Sequence, residues 1–262
     1  MAQDLSIAEE YLSRLSLTAP TDPVSDATVL MTEVGTLRVS YAPFDHIAPQ
    51  ARLVVVGITP GLTQAVNALA SARDSLRRGL PTADVLRRAK LTASFSGGAL
   101  RNNLVAMLDA IGVSGLLGVN SADILFTQGA EHVHFTSALR YPVFVDGKNY
   151  NGTPDMLRTP MLRSMVETYL AEEARILSKA IWLPLGPKAE AAVMHLAELG
   201  LLDHSHVLAG MPHPSGANAE RVAVFLGRKD PSLASRQTNP VTLLEAFKSL
   251  KKQITSLKGE AE

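Results

Sequence analysis

The sequence predicts an α/β protein: a three-layer α/β/α sandwich on a central, mostly parallel, four-stranded sheet. Three observations predict it. Four short apolar runs, at 52–57, 131–137, 180–185 and 205–210, are separated by helical segments, the alternation that lays strands in parallel with helices on both faces. The first run, Leu53-Val54-Val55-Val56, has no polar side and reads as a fully buried strand. Two of the runs end abruptly in Gly- and Pro-rich turns, Gly57-Ile58-Thr59-Pro60-Gly61 and Met211-Pro212-His213-Pro214-Ser215-Gly216. Such turns sit at the carboxyl ends of strands, the edge where open parallel sheets bind ligands.

The remaining elements follow in order. Residues 6–17 carry the pattern of a short amphipathic helix, 18–27 form a Thr/Pro/Ser/Asp-rich linker, and 35–47 read as an edge strand or hairpin. From Leu62 to about Lys90 the pattern is helical, broken at Gly79-Leu80-Pro81. Residues 99–111 place Leu100, Leu104, Met107, Leu108 and Ile111 on one helical face, and Gly112 stops them. After the second core strand come Tyr141-Pro142 and a polar loop, KNYNGTPD, whose Tyr150 and Asn151 could reach a pocket at the sheet edge. Helices are expected at 159–178, 187–199, 217–227 and 240–257. With no internal repeat and no strong linker, the chain reads as a single domain over 1–262: an N-terminal extension (1–50), a core (51–227) and a C-terminal helical tail (228–262).

Composition narrows the function. A hydrophobic content of 46% and a charged content of 19% describe an ordinary globular protein. No apolar run is long enough to span a bilayer, and the start Met-Ala-Gln-Asp-Leu is acidic and polar, so a cytoplasmic protein without a membrane partner is expected. The absence of cysteine excludes disulfides, thiolate zinc sites and cysteine-ligated iron–sulfur clusters. His132/His134 and His204/His206 have strand spacing that would aim each pair at one face, but neither has a third ligand nearby, so no metal is expected. Dinucleotide, phosphate-loop and nucleophile-elbow signatures are missing from the sequence. The net charge of zero hides an uneven distribution. Residues 1–50 hold seven acidic side chains against Arg14 and Arg38, whereas 73–101 hold Arg73, Arg77, Arg78, Arg87, Arg88, Lys90 and Arg101 against Asp74 and Asp84. That segment reads either as a solvated helix face or as a basic rim able to hold phosphates.

The two strand-end turns, in this order and with a sheet between them, resemble the paired motifs of the uracil-DNA glycosylase superfamily, over roughly residues 51–227. The run Phe95-Ser96-Gly97-Gly98-Ala99-Leu100, leading into the 99–111 helix, extends the resemblance. It implies that Phe95 stacks on an extruded base, since every base offers a π-face, and that Gly57 and Ile58 line the base site. Ser137, in Phe135-Thr136-Ser137-Ala138, stands where related enzymes carry an asparagine that reads the uracil edge. A hydroxyl rotates and donates only once, so a broader range of deaminated or damaged bases is expected. Thr59 stands where branches of the family have aspartate, asparagine or alanine; its hydroxyl is too weak an acid to serve as a general base and would instead hold a water.

Cleaving an N-glycosidic bond builds negative charge on the departing base, and preorganised donors are the usual answer to such charge. His213 would donate to a base carbonyl as the bond lengthens. In the family the histidine loop also presses on the minor groove; here Ser215, Gly216, Asn218 and Arg221 would meet phosphate or the orphaned base. That loop lacks a large apolar wedge, which favours single-stranded or mispaired DNA. The resemblance thus implies a monofunctional glycosylase, acting as a monomer without cofactor, that releases uracil from DNA and leaves an abasic site. Two rivals remain: a catalytically silent member that binds damaged DNA or a nucleobase, and an enzyme of free nucleosides or nucleotides.

Overall fold

The computed structural model describes residues 3–97 and 99–259, so Gly98 of the Phe95 run lies outside the described residues. In chain order the helices are α1 (Ser6–Arg14), α2 (Leu62–Arg77), α3 (Thr82–Ala93), α4 (Leu100–Ile111), α5 (Val113–Leu117), α6 (Pro160–Met165), α7 (Ala171–Ile176), α8 (Pro187–Glu198), α9 (Ala219–Phe225) and α10 (Pro240–Gly259). The strands are β1 (Leu30–Val34), β2 (Leu37–Ser40), β3 (Leu53–Gly57), β4 (Val133–Ser137), β5 (Val143–Val145), β6 (Lys148–Asn149) and β7 (Ile181–Pro184). The protein is α/β, with a three-stranded parallel sheet ordered β4-β3-β7 and a four-stranded sheet ordered β1-β2-β5-β6.

The chain packs as two compact units, and two of their borders, at 57/58 and 96/97, fall inside the Gly57–Gly61 motif and the Phe95 run. One unit takes the residues up to 49, 58–96 and 135–178; the other takes 50–57, 97–134 and the chain from 179 onward.

In the first unit, β2 pairs antiparallel with both β1 and β5, and β5 turns back into β6. The β5–β6 turn is Asp146-Gly147, both at positive φ (49° and 73°), the two-residue hairpin chemistry that Asp-Gly favours. Strands β1 and β2, from the segment read as an N-terminal extension, are therefore an integral part of this sheet. Helices α2 and α3 pack on each other, and Ala65, Ala68 and Ala72 of one and Ala89 and Ala93 of the other are buried. Helices α6 and α7 form one run through a π-turn at Val166–Leu170.

In the second unit, β3 is buried along its whole length and pairs in parallel register with β7, Leu53 opposite Ile181 and Val56 opposite Pro184. This is the pattern of a strand covered on both faces. Helix α10 packs on α4, α5 and α9, with Phe247 edge-on to Phe225 at 5.3 Å, so this helix is a packed part of the unit rather than a tail.

Several expectations are corrected. The parallel sheet has three strands, not four. The segment 205–210 makes only isolated parallel bridges, Trp182 to Val207 and Leu185 to Met211. Its start is bent into a 3₁₀ turn by Asp203, whose carboxylate caps the Ser205 amide, and Gly210 adopts φ +99°. His204 and His206 lie on that turn, and His132 ends another, Ala130–His132, so neither histidine pair has the expected strand spacing. The basic segment also divides. Arg73 and Arg77 bind the carbonyls of Ala19 and Leu17, Lys90 is buried against the His46 carbonyl, and Arg101 stacks over Phe126 at 4.5 Å. Arg78, Arg87 and Arg88 remain exposed, and Arg87 pairs with Asp84. Most of these cations bind the fold together instead of forming a rim.

Candidate functional site

The sequence-derived site residues fall into both units. Ile58, Thr59, Phe95 and Ser137 lie in the first; Gly57, His213, Ser215, Gly216, Asn218 and Arg221 lie in the second.

In the first unit, the turn after β3 is pinned at each position. The Ile58 carbonyl accepts from the Leu139 amide (3.0 Å). The Thr59 hydroxyl donates to the Tyr141 carbonyl (3.1 Å) and accepts from the Val143 amide (3.2 Å). The Gly61 amide is satisfied by the Gln64 side chain, and the Leu62 amide, at the start of α2, by Asn149 from β6 (2.8 Å). Thr59 therefore works as a clamp between the turn and the segment leading into β5, with one lone pair left for a water. Removing the hydroxyl leaves a buried carbonyl and a buried amide unpaired. Thr59→Val is expected to lose about 1–3 kcal/mol of stability, and Thr59→Ser to keep most of it, as read by urea unfolding.

Phe95 is one of two non-glycine residues at positive φ (50°) among the described residues. A bulky side chain in that region is strained and persists only where its surroundings hold it. The surroundings do: the Ser94 hydroxyl binds the Lys90 carbonyl (2.6 Å), and the Ser96 hydroxyl accepts from Asn67 (3.0 Å). The ring is 5% exposed and stands edge-to-face with Phe135 at 5.5 Å. Ser137, half-buried, ends β4.

Behind this turn lies a buried polar cluster. The Asp45 carboxylate accepts from the hydroxyls of Tyr141 (2.6 Å) and Tyr41 (3.0 Å), while burial pushes its own pKa up. Next to Tyr141, Arg140 binds Glu173 (2.9 Å), Glu172 (3.0 Å) and the Tyr169 carbonyl (2.8 Å). Lys90 completes the cluster; burial brings its pKa down to about 8.

In the second unit, His213 is half-buried at the turn after the Met211 bridge. Its Nδ1 accepts from the Ser215 amide (3.3 Å), which leaves Nε2 as the protonated, donating nitrogen. Burial pushes the imidazole pKa down, so the ring is neutral near pH 7. The Ser215 hydroxyl accepts from Asn218 (2.9 Å), and Asn218 in turn accepts from Arg221 (2.7 Å). Arg221 also donates to the Gln237 carbonyl (3.1 Å). Gly57, fully buried, ends β3. Gly216 opens a short 3₁₀ turn and is exposed.

No family model matches the chain, and no solved structure matches it. The uncharacterized protein YoxB of Bacillus subtilis (strain 168) is 36% identical over 197 residues, which cover 74% of this chain and 77% of YoxB.

The chain belongs to the YoxB family.

Three residues of this YoxB-family chain that sequence reading passed over shape the two motifs. Asn103, on the polar side of α4, donates to the Pro214 carbonyl (2.9 Å) and so holds the histidine loop. Asn149 caps α2 from the KNYN loop, a task that nothing in its sequence context announces. Gly186 donates its amide to the Met211 carbonyl (2.7 Å) and has φ +82° and ψ 166°, a region open to glycine almost alone. A Cβ there would lie 3.4 Å from the His213 Cβ. In the YoxB-family chain, Gly186→Ala is therefore expected to lower stability by about 1–3 kcal/mol and to disturb His213; thermal unfolding with a histidine NMR spectrum tests both.

Proposed function

We propose that the protein is a monofunctional DNA glycosylase that hydrolyses the bond between uracil, or a related deaminated or damaged base, and deoxyribose, leaving an abasic site. The observation that carries this reading is the Ser215 amide on His213 Nδ1. It provides a neutral imidazole whose Nε2–H is a fixed donor, in a half-buried position where burial disfavours the charged ring. Such a donor suits a reaction whose departing group becomes an anion: it strengthens its hydrogen bond as charge grows and needs no reorganisation. No carboxylate base is required if the leaving base is well stabilised, because water then needs holding more than deprotonation. On this reading Ser215, Gly216, Asn218 and Arg221, in the same unit as His213, contact the strand, and the enzyme works in the cytoplasm as a monomer. The sandwich of the uracil-DNA glycosylase fold is part of the same proposal.

End-labelled oligonucleotides containing one uracil, single-stranded or opposite guanine or adenine, test it in EDTA. Strand cleavage only after alkali is the expected result. Cleavage without alkali would show a lyase, and no cleavage on any substrate would remove the reading. One observation favours a second reading, a binding protein without turnover: the Thr59 hydroxyl is already bonded twice within the fold. Clear DNA affinity without base release, unchanged in His213→Ala, would support it.

A further inference from the structure

On several helices of this protein, surface cations are answered by acids one turn away. Arg14 pairs with Glu10 (2.5 Å), Arg77 with Asp74 (3.5 Å), Arg87 with Asp84 (3.2 Å) and Arg163 with Glu167 (2.8 Å). Helix α10 departs from this pattern. From Ala246 to Gly259 it holds Lys248, Lys251, Lys252 and Lys258 and no acid, in a chain with 25 acidic and 25 basic side chains. Lys248, Lys251 and Lys252 are exposed and, at spacings of three and four, share one face of the helix. Among the described residues these three form no ion pair, although Glu245 lies one turn before Lys248. Like charges at that spacing repel and cost helix stability.

The opposite face of α10 is fixed against its own unit. Leu250 and Ile254 are buried, and Phe247 meets Phe225 of α9. Ala246 stands against the segment that leads to His213: a Cβ added at Gly210 would lie 3.0 Å from the Ala246 Cβ. At 3.6 residues per turn, side chains two positions apart point to opposite sides of a helix. Lys248 therefore projects away from the histidine segment, with the body of α10, roughly 10–12 Å across, between them.

We propose that the outer face of α10, with Lys248, Lys251 and Lys252 at its centre, binds the phosphodiester backbone of DNA flanking the nucleotide that meets the His213 loop. The choice of DNA rests on the glycosylase reading. Three ammonium groups that repel one another are relieved by a partner that is itself a row of anions. Phosphates of one strand recur about every 3.4 Å of duplex axis, so the ~15 Å of helix from Lys248 to Lys258 passes about four of them. A lipid surface is a poorer match. A helix lying on lipid buries its apolar face there, and the apolar face of α10 is already packed on α4, α5 and α9.

The test measures, by fluorescence anisotropy, binding of the full chain to a labelled duplex carrying one uracil, between about 50 and 200 mM salt. Lys248→Gln/Lys251→Gln/Lys252→Gln is expected to reduce the salt slope by about 2–3 and to weaken binding on the order of tenfold or more. Lys248→Arg/Lys251→Arg/Lys252→Arg should keep the slope, because it keeps the charge. Arg78→Gln/Arg87→Gln/Arg88→Gln removes as much charge from exposed positions of the other unit and should leave the slope nearly unchanged. A slope unmoved by the lysine-to-glutamine variant, or moved equally by the arginine variant, would overturn the proposal. So would a chain that does not bind the duplex, or that binds phosphatidylserine vesicles or poly-glutamate in its place. Base release is followed on the same duplex. A lysine-dependent slope without base release supports the surface and removes the glycosylase reading. Base release with a slope indifferent to the lysines removes the surface alone.

Discussion

His213→Ala is expected to lower base release by about 10²–10³-fold, the usual consequence of removing one preorganised donor from a developing anion. His213→Gln should retain part of the activity, because an amide can donate from a similar position. The pH dependence follows from the direction of the shift. Burial places the His213 pKa below its ordinary value of 6.5. The neutral donor therefore persists through that range, and activity should hold constant across neutral pH. As pH falls through the lowered pKa, the ring gains a proton on Nδ1 and can no longer accept from the Ser215 amide. Stability linked to this group is fully present above 6.5 and is lost over the same acid limb, because the unfolded chain binds the proton more readily. His213→Gln should abolish that limb in the rate profile; a limb that survives in the variant would assign it to another group.

Arg140→Met is expected to be the most damaging single change to the first unit, at about 3–5 kcal/mol in urea unfolding. Arg140 is 3% exposed and its partner Glu173 is fully buried. Removing the guanidinium leaves a carboxylate in the interior with its principal counter-charge gone, and that uncompensated charge is the main term. Adding Glu173→Gln to Arg140→Met should therefore recover a substantial part of the loss, whereas independent roles would make the two losses add. Because Tyr141 follows Arg140 and its carbonyl receives the Thr59 hydroxyl, the single variant should also loosen the turn after β3. Faster amide exchange at Val143, which donates to Thr59, would report it.

Local pattern made much of this fold legible. The Leu53–Val56 run, the break at Gly79-Leu80-Pro81 and the apolar face of α4 each depend on residues a few positions apart, so periodicity locates them to within one to three residues. The segment 205–210 departs from the strand its apolar residues suggest because Asp203 and Gly210 impose backbone conformations that a strand does not accommodate. The basic run 73–101 left two readings open for a different reason. Charge is visible in sequence, but the carbonyls of Leu17, Ala19 and His46 that bind it are contributed by distant segments.

The sequence by itself determined the α/β class, the places where β3 and the histidine segment end in turns, and the chemical repertoire of those turns. These are properties of contiguous residues and of what each side chain can donate, accept or shield. Tertiary structure alone decided that Thr59 is a clamp, that Asn149 and Asn103 hold the two motif turns, and that Ser215 sets the tautomer of His213. Apart from the short-range Ser215 contact, these roles depend on partners 82 to 111 positions away, and a hydrogen bond's partner is chosen by packing rather than by neighbourhood in the chain.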